Sequence, residues 1–192
     1  MATQKEKLRQ QIAVVIRSKG INRINFTLDG ITIDSSNYFR LARAVLRDNV
    51  HVEIKPLPDG IGAKYNRVEN MLTVPKFPYG FDPKEQSTIT HEITHAIVDM
   101  FKIRTNTVTN ECIAHTASAM FHIASKFAFT TKSKPHIAAI VAESILEGGR
   151  SILRSTDADV DKLRKEILNS PTYIEHGGDL ITVFTLDGIP GA

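Results

Sequence analysis

A chain of 192 residues can bury a hydrophobic core of its own, and its composition is that of a folded protein. Hydrophobic residues make up 42% of the chain and charged residues 23%, a balance that excludes disorder along its whole length. The net charge of +3 is small, and acidic residues interrupt the densest basic stretch, residues 162–165, so we predict no nucleic-acid partner. We predict one domain over residues 1–192.

Cysteine content and hydropathy bear on the compartment. Cys112 is the one cysteine, so the chain forms no intramolecular disulfide and nothing indicates an oxidising compartment. The apolar run Ile12–Ile16 is too short for the core of a signal peptide, and no stretch reaches the roughly 18 apolar residues of a membrane span. We expect a cytoplasmic protein without membrane association. Export by a route that needs no signal peptide stays open.

Two hairpins and two helices are predicted in the first half of the chain. Apolar residues alternate on both sides of Asp29-Gly30, a dipeptide that favours the tight turn of a β-hairpin. Ser35 or Ser36 is predicted to cap the following helix. Its inward face would include Phe39, Ala42, Val45 and Leu46. The predicted elements are a helix over 4–18, a hairpin over 26–33, a helix over 35–47, a strand over 51–55 and a hairpin of strands 63–67 and 71–74.

Helices dominate the second half. Asp82 can cap a helix that has Pro83 in its first position, and Glu85 completes a pattern similar to a capping box. An α+β fold is therefore expected, with a small antiparallel or mixed sheet before this helix and a mainly helical C-terminal half. The predicted elements are a helix over 82–101, a polar loop over 104–109, helices over 110–126, 135–147 and 156–170, and a strand over 180–186.

The segment His91-Glu92-Ile93-Thr94-His95 has the HExxH spacing of a zinc site. Residues four apart lie on one face of a helix, so both imidazoles can bind one tetrahedral zinc ion. Glu92 would then lie beside the open side of the metal, where a general base takes a proton from the attacking water. The alternative is a pair of hydrogen-bonded histidines on a helix face beside a surface glutamate, with no metal.

A hydrolytic zinc site needs a third protein ligand, and Glu111 is the best candidate. An extended HExxH motif would place a third histidine at position 101, which is Phe101 here. Glu111 lies in the predicted first turn of the next helix, and a short loop would fold the two helices antiparallel and bring it towards the zinc. This glutamate heads a polar stripe on an otherwise apolar helix, although such a stripe could instead face solvent. The stripe consists of Glu111, His115, Ser118 and His122.

A helix with HExxH followed by a second helix that supplies a glutamate resembles the gluzincin branch of the zincin metallopeptidases. The likeness covers roughly residues 60–125. It implies a zincin-like fold in which one of the strands 63–67 and 71–74 is an edge strand that pairs with an extended peptide substrate. It also implies the roles of four residues: His91, His95 and Glu111 as ligands of Zn²⁺, and Glu92 as the catalytic base.

This sequence departs from the gluzincin pattern at one position. An aspartate that orients a zinc-bound histidine often stands four residues after the ligand glutamate, and here that position is His115. Asp99 or Asn110 could supply the same hydrogen bond instead. The donor that would stabilise the oxyanion is also open. The candidates are His115, His122, Tyr65, Tyr173 and His176.

These observations predict a zinc metallopeptidase that hydrolyses peptide bonds in a peptide or protein substrate. A zinc hydrolase acting on a non-peptide amide or ester would use the same ligands. A catalytically silent regulatory or interaction protein of zincin fold is a further alternative, although Glu92 would have no role in it. A repressor-cleaving peptidase and a small toxin or effector peptidase with an inhibitor or immunity partner also fit the size. The sequence does not predict the oligomeric state.

Overall fold

The computed structural model describes residues 2–127, 137–171 and 181–191 and has a mixed α+β fold. Its strands form two three-stranded sheets and one two-stranded sheet, so the predicted α+β class with small mixed sheets is confirmed. The described helices are α1 (Gln4–Val15), α2 (Ser35–Leu46), α3 (Pro83–Met100), α4 (Thr107–Ala124), α5 (Ile137–Leu146) and α6 (Ala158–Leu168). The described strands are β1 (Asn25–Leu28), β2 (Ile31–Asp34), β3 (His51–Ile54), β4 (Lys64–Asn66), β5 (Met71–Val74), β6 (Arg104–Asn106), β7 (Ile152–Leu153) and β8 (Val183–Thr185).

The first hairpin forms as predicted. β1 and β2 pair antiparallel around Asp29 and Gly30, which have φ angles of 48° and 86°. Two successive residues with positive φ make the turn whose twist matches that of the flanking strands. β1 also pairs in parallel with β7, so β1 is the central strand of this sheet.

The start of α2 differs from the prediction. The cap is Asp34, and neither Ser35 nor Ser36 takes that role. Its carboxylate accepts hydrogen bonds from the backbone amides of Ser36 and Asn37. A negative charge at this position also interacts favourably with the positive end of the helix dipole, which explains why the aspartate is preferred.

The predicted inward face of α2 is confirmed at Ala42 and Val45, which are fully buried, and is wrong at Phe39 and Leu46. Phe39 and Leu46 are 37% and 42% exposed, whereas Tyr38 and Leu41 are fully buried. The hydroxyl group of Tyr38 lies 2.6 Å from that of Thr94 on α3. A buried hydroxyl group needs a hydrogen-bond partner, and this bond is available only when Tyr38 faces α3. The expectation that Phe39 and Leu46 face inward is therefore wrong.

Helix α3 begins where the sequence predicts. Asp82 accepts a hydrogen bond from the backbone amide of Glu85 at 2.8 Å, and Pro83 is the first helical residue. The carboxylate of Glu85 accepts from the backbone amides of Gly80 and Phe81 at 2.8 and 3.2 Å. Glu85 therefore connects the preceding loop to the helix. In a capping box its carboxylate would instead accept from the backbone amide of Asp82.

Helix α4 begins three residues earlier than predicted. Asn106 caps it by accepting from the backbone amide of Thr109 at 2.8 Å, and residues 104–106 form β6, which pairs with β8. The predicted polar loop over 104–109 is wrong, because the partner of β6 comes from the distant C-terminal segment. Glu111 consequently lies in the second turn of α4 and not in the first.

Helices α3 and α4 pack antiparallel beside the sheet β3-β5-β4. Ser87 near the start of α3 donates a hydrogen bond to the carbonyl of Ser118 near the end of α4. The apolar faces of both helices lie in the core, with Ile93, Ile97 and Phe121 fully buried. In the sheet, β5 is central, parallel to β3 and antiparallel to β4, so β4 is an edge strand.

Some predicted features fall outside the described residues. They include Pro135, the predicted start of the helix that is described over Ile137–Leu146, and the two oxyanion candidates Tyr173 and His176. Within the described ranges, no helix combines the length and the apolar character that a membrane crossing requires.

Glu85→Gln is expected to lower the free energy of unfolding by about 1 kcal/mol at pH 7. The ion pair contributes little to this value, because Lys76 is exposed and solvent screens its charge. Burial acts to raise the pKa of Glu85, but the Lys76 ammonium group at 2.9 Å and the Gly80 and Phe81 amides outweigh it and lower the pKa. A lowered pKa stabilises the fold above the ordinary glutamate pKa, and this contribution is lost as the pH falls through the folded value. Urea unfolding at pH 7 and at pH 3 measures both.

Glu143→Gln is the matched control, because Glu143 is exposed on α5. It should change the unfolding free energy little at either pH. An equal loss of stability at pH 7 and pH 3 in Glu85→Gln would contradict the assigned role of the carboxylate charge.

Candidate metal site

The packing of α3 against α4 brings His91, His95 and Glu111 together. The Nε2 atoms of His91 and His95, one helical turn apart, are separated by 3.2 Å. Each oxygen of the Glu111 carboxylate faces one of them: Oε2 lies 3.3 Å from His91 Nε2, and Oε1 lies 3.5 Å from His95 Nε2. The three side chains are between 12% and 15% exposed. The polar stripe of α4 therefore begins at a contact with α3 and not in solvent.

The spacing of these donor atoms suits a zinc ion. Zinc bonds of about 2.0–2.1 Å in a tetrahedron place neighbouring ligand atoms about 3.3–3.4 Å apart. The 3.2 Å between His91 Nε2 and His95 Nε2 is close to this value. Each of these nitrogens has a Glu111 oxygen nearby, at 3.3 Å for His91 and 3.5 Å for His95, and the two oxygens are different atoms of the carboxylate. Two imidazoles and one carboxylate are also a donor set that zinc accepts, with the fourth position open. The residues present thus fit the metal that the sequence predicts.

His115 stands beside this group, one turn after Glu111 on α4. Its Nε2 atom lies 3.9 Å from Glu111 Oε2, and its ring centroid lies 4.6 Å from that of His91. One donor atom from each of His91, Glu111 and His115 lies within 4.8 Å of the others, so these three residues could also hold a metal ion. His95 makes the shorter contacts, at 3.2 Å to His91 and 3.5 Å to Glu111, whereas His115 lies 3.9 Å from Glu111.

The electrostatic environment of the site favours a cation. Burial acts to lower the pKa of His91, but the hydrogen bond to Glu111 and the charges of Glu111 and Glu92 outweigh it and raise the pKa. A raised histidine pKa indicates that negative charge exceeds positive charge around the ring. A bound metal ion would neutralise the same excess.

Glu92 faces the sheet side of the site. Its Oε2 atom accepts a hydrogen bond from the backbone amide of Tyr65 in β4 at 2.8 Å. The outward side of this edge strand therefore lies directly against the helix that carries the HExxH motif. Glu92, His91 and His115 line a cavity of about 280 Å³, which residues 60–63 close on the other side.

A second cavity lies on the His95 side of the three groups. Its volume is about 530 Å³, and His95 and Glu111 form part of its lining. One wall is the stretch 64–68, and the other includes Phe184 and Leu186 from the C-terminal segment. The three donor groups are thus flanked by one cavity on each side, and residues 60–68 border both.

Phe184 and Leu186 were not identified as site residues from the sequence. The alternating pattern of residues 180–186 predicts a strand, and β8 lies within it. The sequence pattern does not indicate which strand β8 pairs with. β8 pairs with β6 immediately before α4, and this pairing carries Phe184 to the cavity that Glu111 borders.

The two residues expected to orient a zinc histidine have other surroundings. Asp99 accepts hydrogen bonds from the hydroxyl group of Tyr65 at 2.7 Å and from the backbone amide of Gly188 at 3.2 Å. Asn110 lines the cavity on the His95 side, and its Oδ1 atom is buried with no hydrogen-bond partner among the described residues. The same holds for His95 Nδ1 within that part of the chain.

Among the oxyanion candidates that the structure describes (His115, His122 and Tyr65), His115 has the position that suits the role. It lines the same cavity as Glu92, and its side chain is 26% exposed. The hydroxyl group of Tyr65 is held by Asp99, and the His122 ring packs against Phe127 at a centroid distance of 5.6 Å.

Cys112 is buried in the core, as expected for the side of α4 that faces away from the site. Burial raises the pKa of its thiol to about 12, and the nearby charges change this less. A thiol with such a pKa is not ionised at neutral pH, so this cysteine does not offer a nucleophile.

Comparisons with known proteins identify no relative of this chain. No protein-family model, no curated protein sequence and no solved structure matches it. The chemistry of the site is therefore argued from its own residues and their geometry.

Proposed function

We propose that this protein is a zinc-dependent metallopeptidase of zincin-like fold. The observation that carries the proposal is the convergence of three zinc-binding side chains: His91 Nε2 and His95 Nε2 lie 3.2 Å apart, and one Glu111 oxygen lies 3.3 or 3.5 Å from each. The antiparallel helix that supplies Glu111 and the edge strand against α3 add support. Both are arrangements that the resemblance to gluzincins implies.

Each residue of the proposed site would have one role in hydrolysis. His91, His95 and Glu111 would hold Zn²⁺, which supplies the Lewis acidity that makes a water nucleophilic near neutral pH. Glu92 would accept the proton of the attacking water and pass it to the departing amine. His115 faces the same cavity and would donate a hydrogen bond to the carbonyl oxygen as negative charge develops on it.

The edge strand favours a peptide over a small amide as the substrate. β4 is an edge strand, and an edge strand can bind an extended peptide through main-chain hydrogen bonds. The Tyr65 amide is already bonded to Glu92, so the peptide would pair with other backbone groups of this stretch. The cavities of about 280 and 530 Å³ on the two sides of the metal ligands would receive substrate residues before and after the scissile bond.

One observation favours a second candidate, a catalytically silent zinc protein. His115 Nε2 lies 3.9 Å from Glu111, so a small movement would make it a fourth ligand and close the site, as in structural zinc centres. Zinc affinities distinguish the two. His115→Ala should lower the affinity less than tenfold in an open catalytic site, and much more in a closed one.

The first test concerns Glu92. We expect about one zinc ion per chain in the wild type and in Glu92→Gln, because Glu92 is not a ligand. Cleavage of a mixed peptide library, followed by mass spectrometry, should fall by about 100-fold to 10,000-fold in Glu92→Gln, since the general base is lost. Glu143→Gln makes the same charge change on α5 and should cleave as the wild type does. A wild type that binds no added zinc, or a Glu92→Gln protein with full activity, would contradict the proposal.

The second test concerns the third ligand. Glu111→Ala should weaken zinc binding by more than about 100-fold, because loss of an outer-shell partner alone costs about 10–100-fold. Competition with a chromophoric chelator measures the affinity, and circular dichroism checks that the variant folds. His51→Ala is the histidine control: its side chain is 52% exposed on β3, and zinc affinity should not change. Undiminished zinc binding in Glu111→Ala would remove this residue from the ligand set while leaving the histidines in it.

A further inference from the structure

Asp99 is a buried carboxylate to which the proposed mechanism gives no role. It lies on α3, one helical turn after His95, and is 0% exposed. Its two oxygens hold two different segments: Oδ2 accepts from the Tyr65 hydroxyl group at 2.7 Å, and Oδ1 accepts from the Gly188 backbone amide at 3.2 Å. Burying a carboxylate is costly unless it is well hydrogen-bonded, so these two bonds need an explanation.

The two segments are the opposite walls of the larger cavity. Tyr65 belongs to β4, within the wall formed by residues 64–68, and Gly188 follows Phe184 and Leu186 of the other wall. One carboxylate at the end of α3 therefore anchors both walls, while the same helix supplies His95 to the cavity lining. The distance between the walls depends on this shared anchor.

A second contact joins the walls. The guanidinium group of Arg67 lies over the ring of Phe184, 4.0 Å from its centroid. Such a cation–π contact is weak at an exposed position, whereas hydrogen bonds to a buried charged group are among the stronger ones. The hydrogen bonds of Asp99 therefore hold the two walls together more strongly than the contact between Arg67 and Phe184 does.

Tyr65 also connects this anchor to the catalytic base. Its hydroxyl group donates to Asp99 and lies 3.1 Å from Asn70 Oδ1, at the turn of the hairpin. Its backbone amide donates to Glu92 at 2.8 Å. A shift of β4 away from α3 would therefore change both the width of the cavity and the position of the amide that holds Glu92.

We propose that Asp99 is a positioning residue that sets the width of the peptide-binding cleft on the His95 side, by holding β4 through Tyr65 and the C-terminal segment through Gly188. The substrate class is an extended peptide whose chain runs along β4 and between these two walls. The inference rests on the proposed metallopeptidase function. It adds a determinant of peptide binding that contacts neither the metal ligands nor the substrate.

Tyr38 provides the control for a merely structural role. Its buried hydroxyl group lies 2.6 Å from that of Thr94, which is also on α3. Tyr38 belongs to α2 and is not among the residues that line the cavity on the His95 side. Tyr65→Phe and Tyr38→Phe each remove one buried tyrosine hydroxyl bond to the same helix. Only Tyr65→Phe releases β4 from Asp99.

The experiment compares three zinc-binding probes on the zinc-loaded wild type, Tyr65→Phe, Asp99→Asn and Tyr38→Phe. Acetohydroxamate is small enough to report on the metal alone. Two tripeptide hydroxamates carry the metal-binding group at opposite ends of the peptide, so that each extends from the metal in a different direction. Dissociation constants are measured by calorimetry, and zinc content is checked for each protein.

We expect Tyr65→Phe and Asp99→Asn to bind zinc and acetohydroxamate as the wild type does. The affinity for one of the two tripeptide probes, the one that extends between the walls, should fall by about tenfold in both variants. Tyr38→Phe should leave the affinities for all three probes unchanged. If Asp99→Asn does not fold, Tyr65→Phe tests the same restraint.

Two results would overturn the inference. One is an unchanged ratio of tripeptide to acetohydroxamate affinity in Tyr65→Phe, and the other is an equal loss in Tyr38→Phe, which would reveal an effect of stability alone. A wild type that binds neither zinc nor acetohydroxamate would instead refute the proposed function on which the inference rests. The two failures are therefore distinguishable.

Discussion

The packing of α3 against α4 is the constraint on which the candidate site depends, because it decides which polar groups meet between two largely apolar helices. A carboxylate and two imidazoles in such an interface need partners, and Glu111 supplies one oxygen to each of His91 and His95. With Glu92 nearby, negative charge exceeds positive charge, as the raised pKa of His91 indicates. This excess of negative charge is one of the features on which the proposed metal site rests.

The cleft around this centre is built from segments that surround the helix pair. The stretch 60–68 precedes α3 in the chain, and the C-terminal segment follows α6, yet both border the cavities beside the metal ligands. In the proposed function, chemistry and substrate recognition would therefore be carried by different parts of the fold. Asp99 would connect them, because it lies on α3 with His91 and His95 and is hydrogen-bonded to both cavity walls. A rigid helix can in this way hold wall segments that have little core of their own.

Local rules were sufficient for the features that lie within one element of the sequence. The position of His91 one turn before His95 follows from helix geometry alone, and the start of α3 follows from Asp82 and Pro83. The turn at Asp29-Gly30 follows from the positive φ angles that these residues tolerate. Glu111 could be selected as the third donor because a polar stripe on an apolar helix has to face something other than the apolar core. The prediction that it lies in the first turn of this helix is wrong, because α4 begins at Thr107.

The sequence by itself determined the HExxH helix, the α+β class and a short set of donors for a metal. Only the tertiary structure decided what surrounds them. It paired β6 with β8, placed Phe184 in the wall of a cavity, and joined Asp99 to Gly188 across 89 residues. It also decided that Tyr38, and not Phe39, is buried on α2. The physical reason is the same in each case: hydrogen bonds and side-chain packing between distant segments depend on where both partners lie, and the local periodicity of one partner does not contain that information.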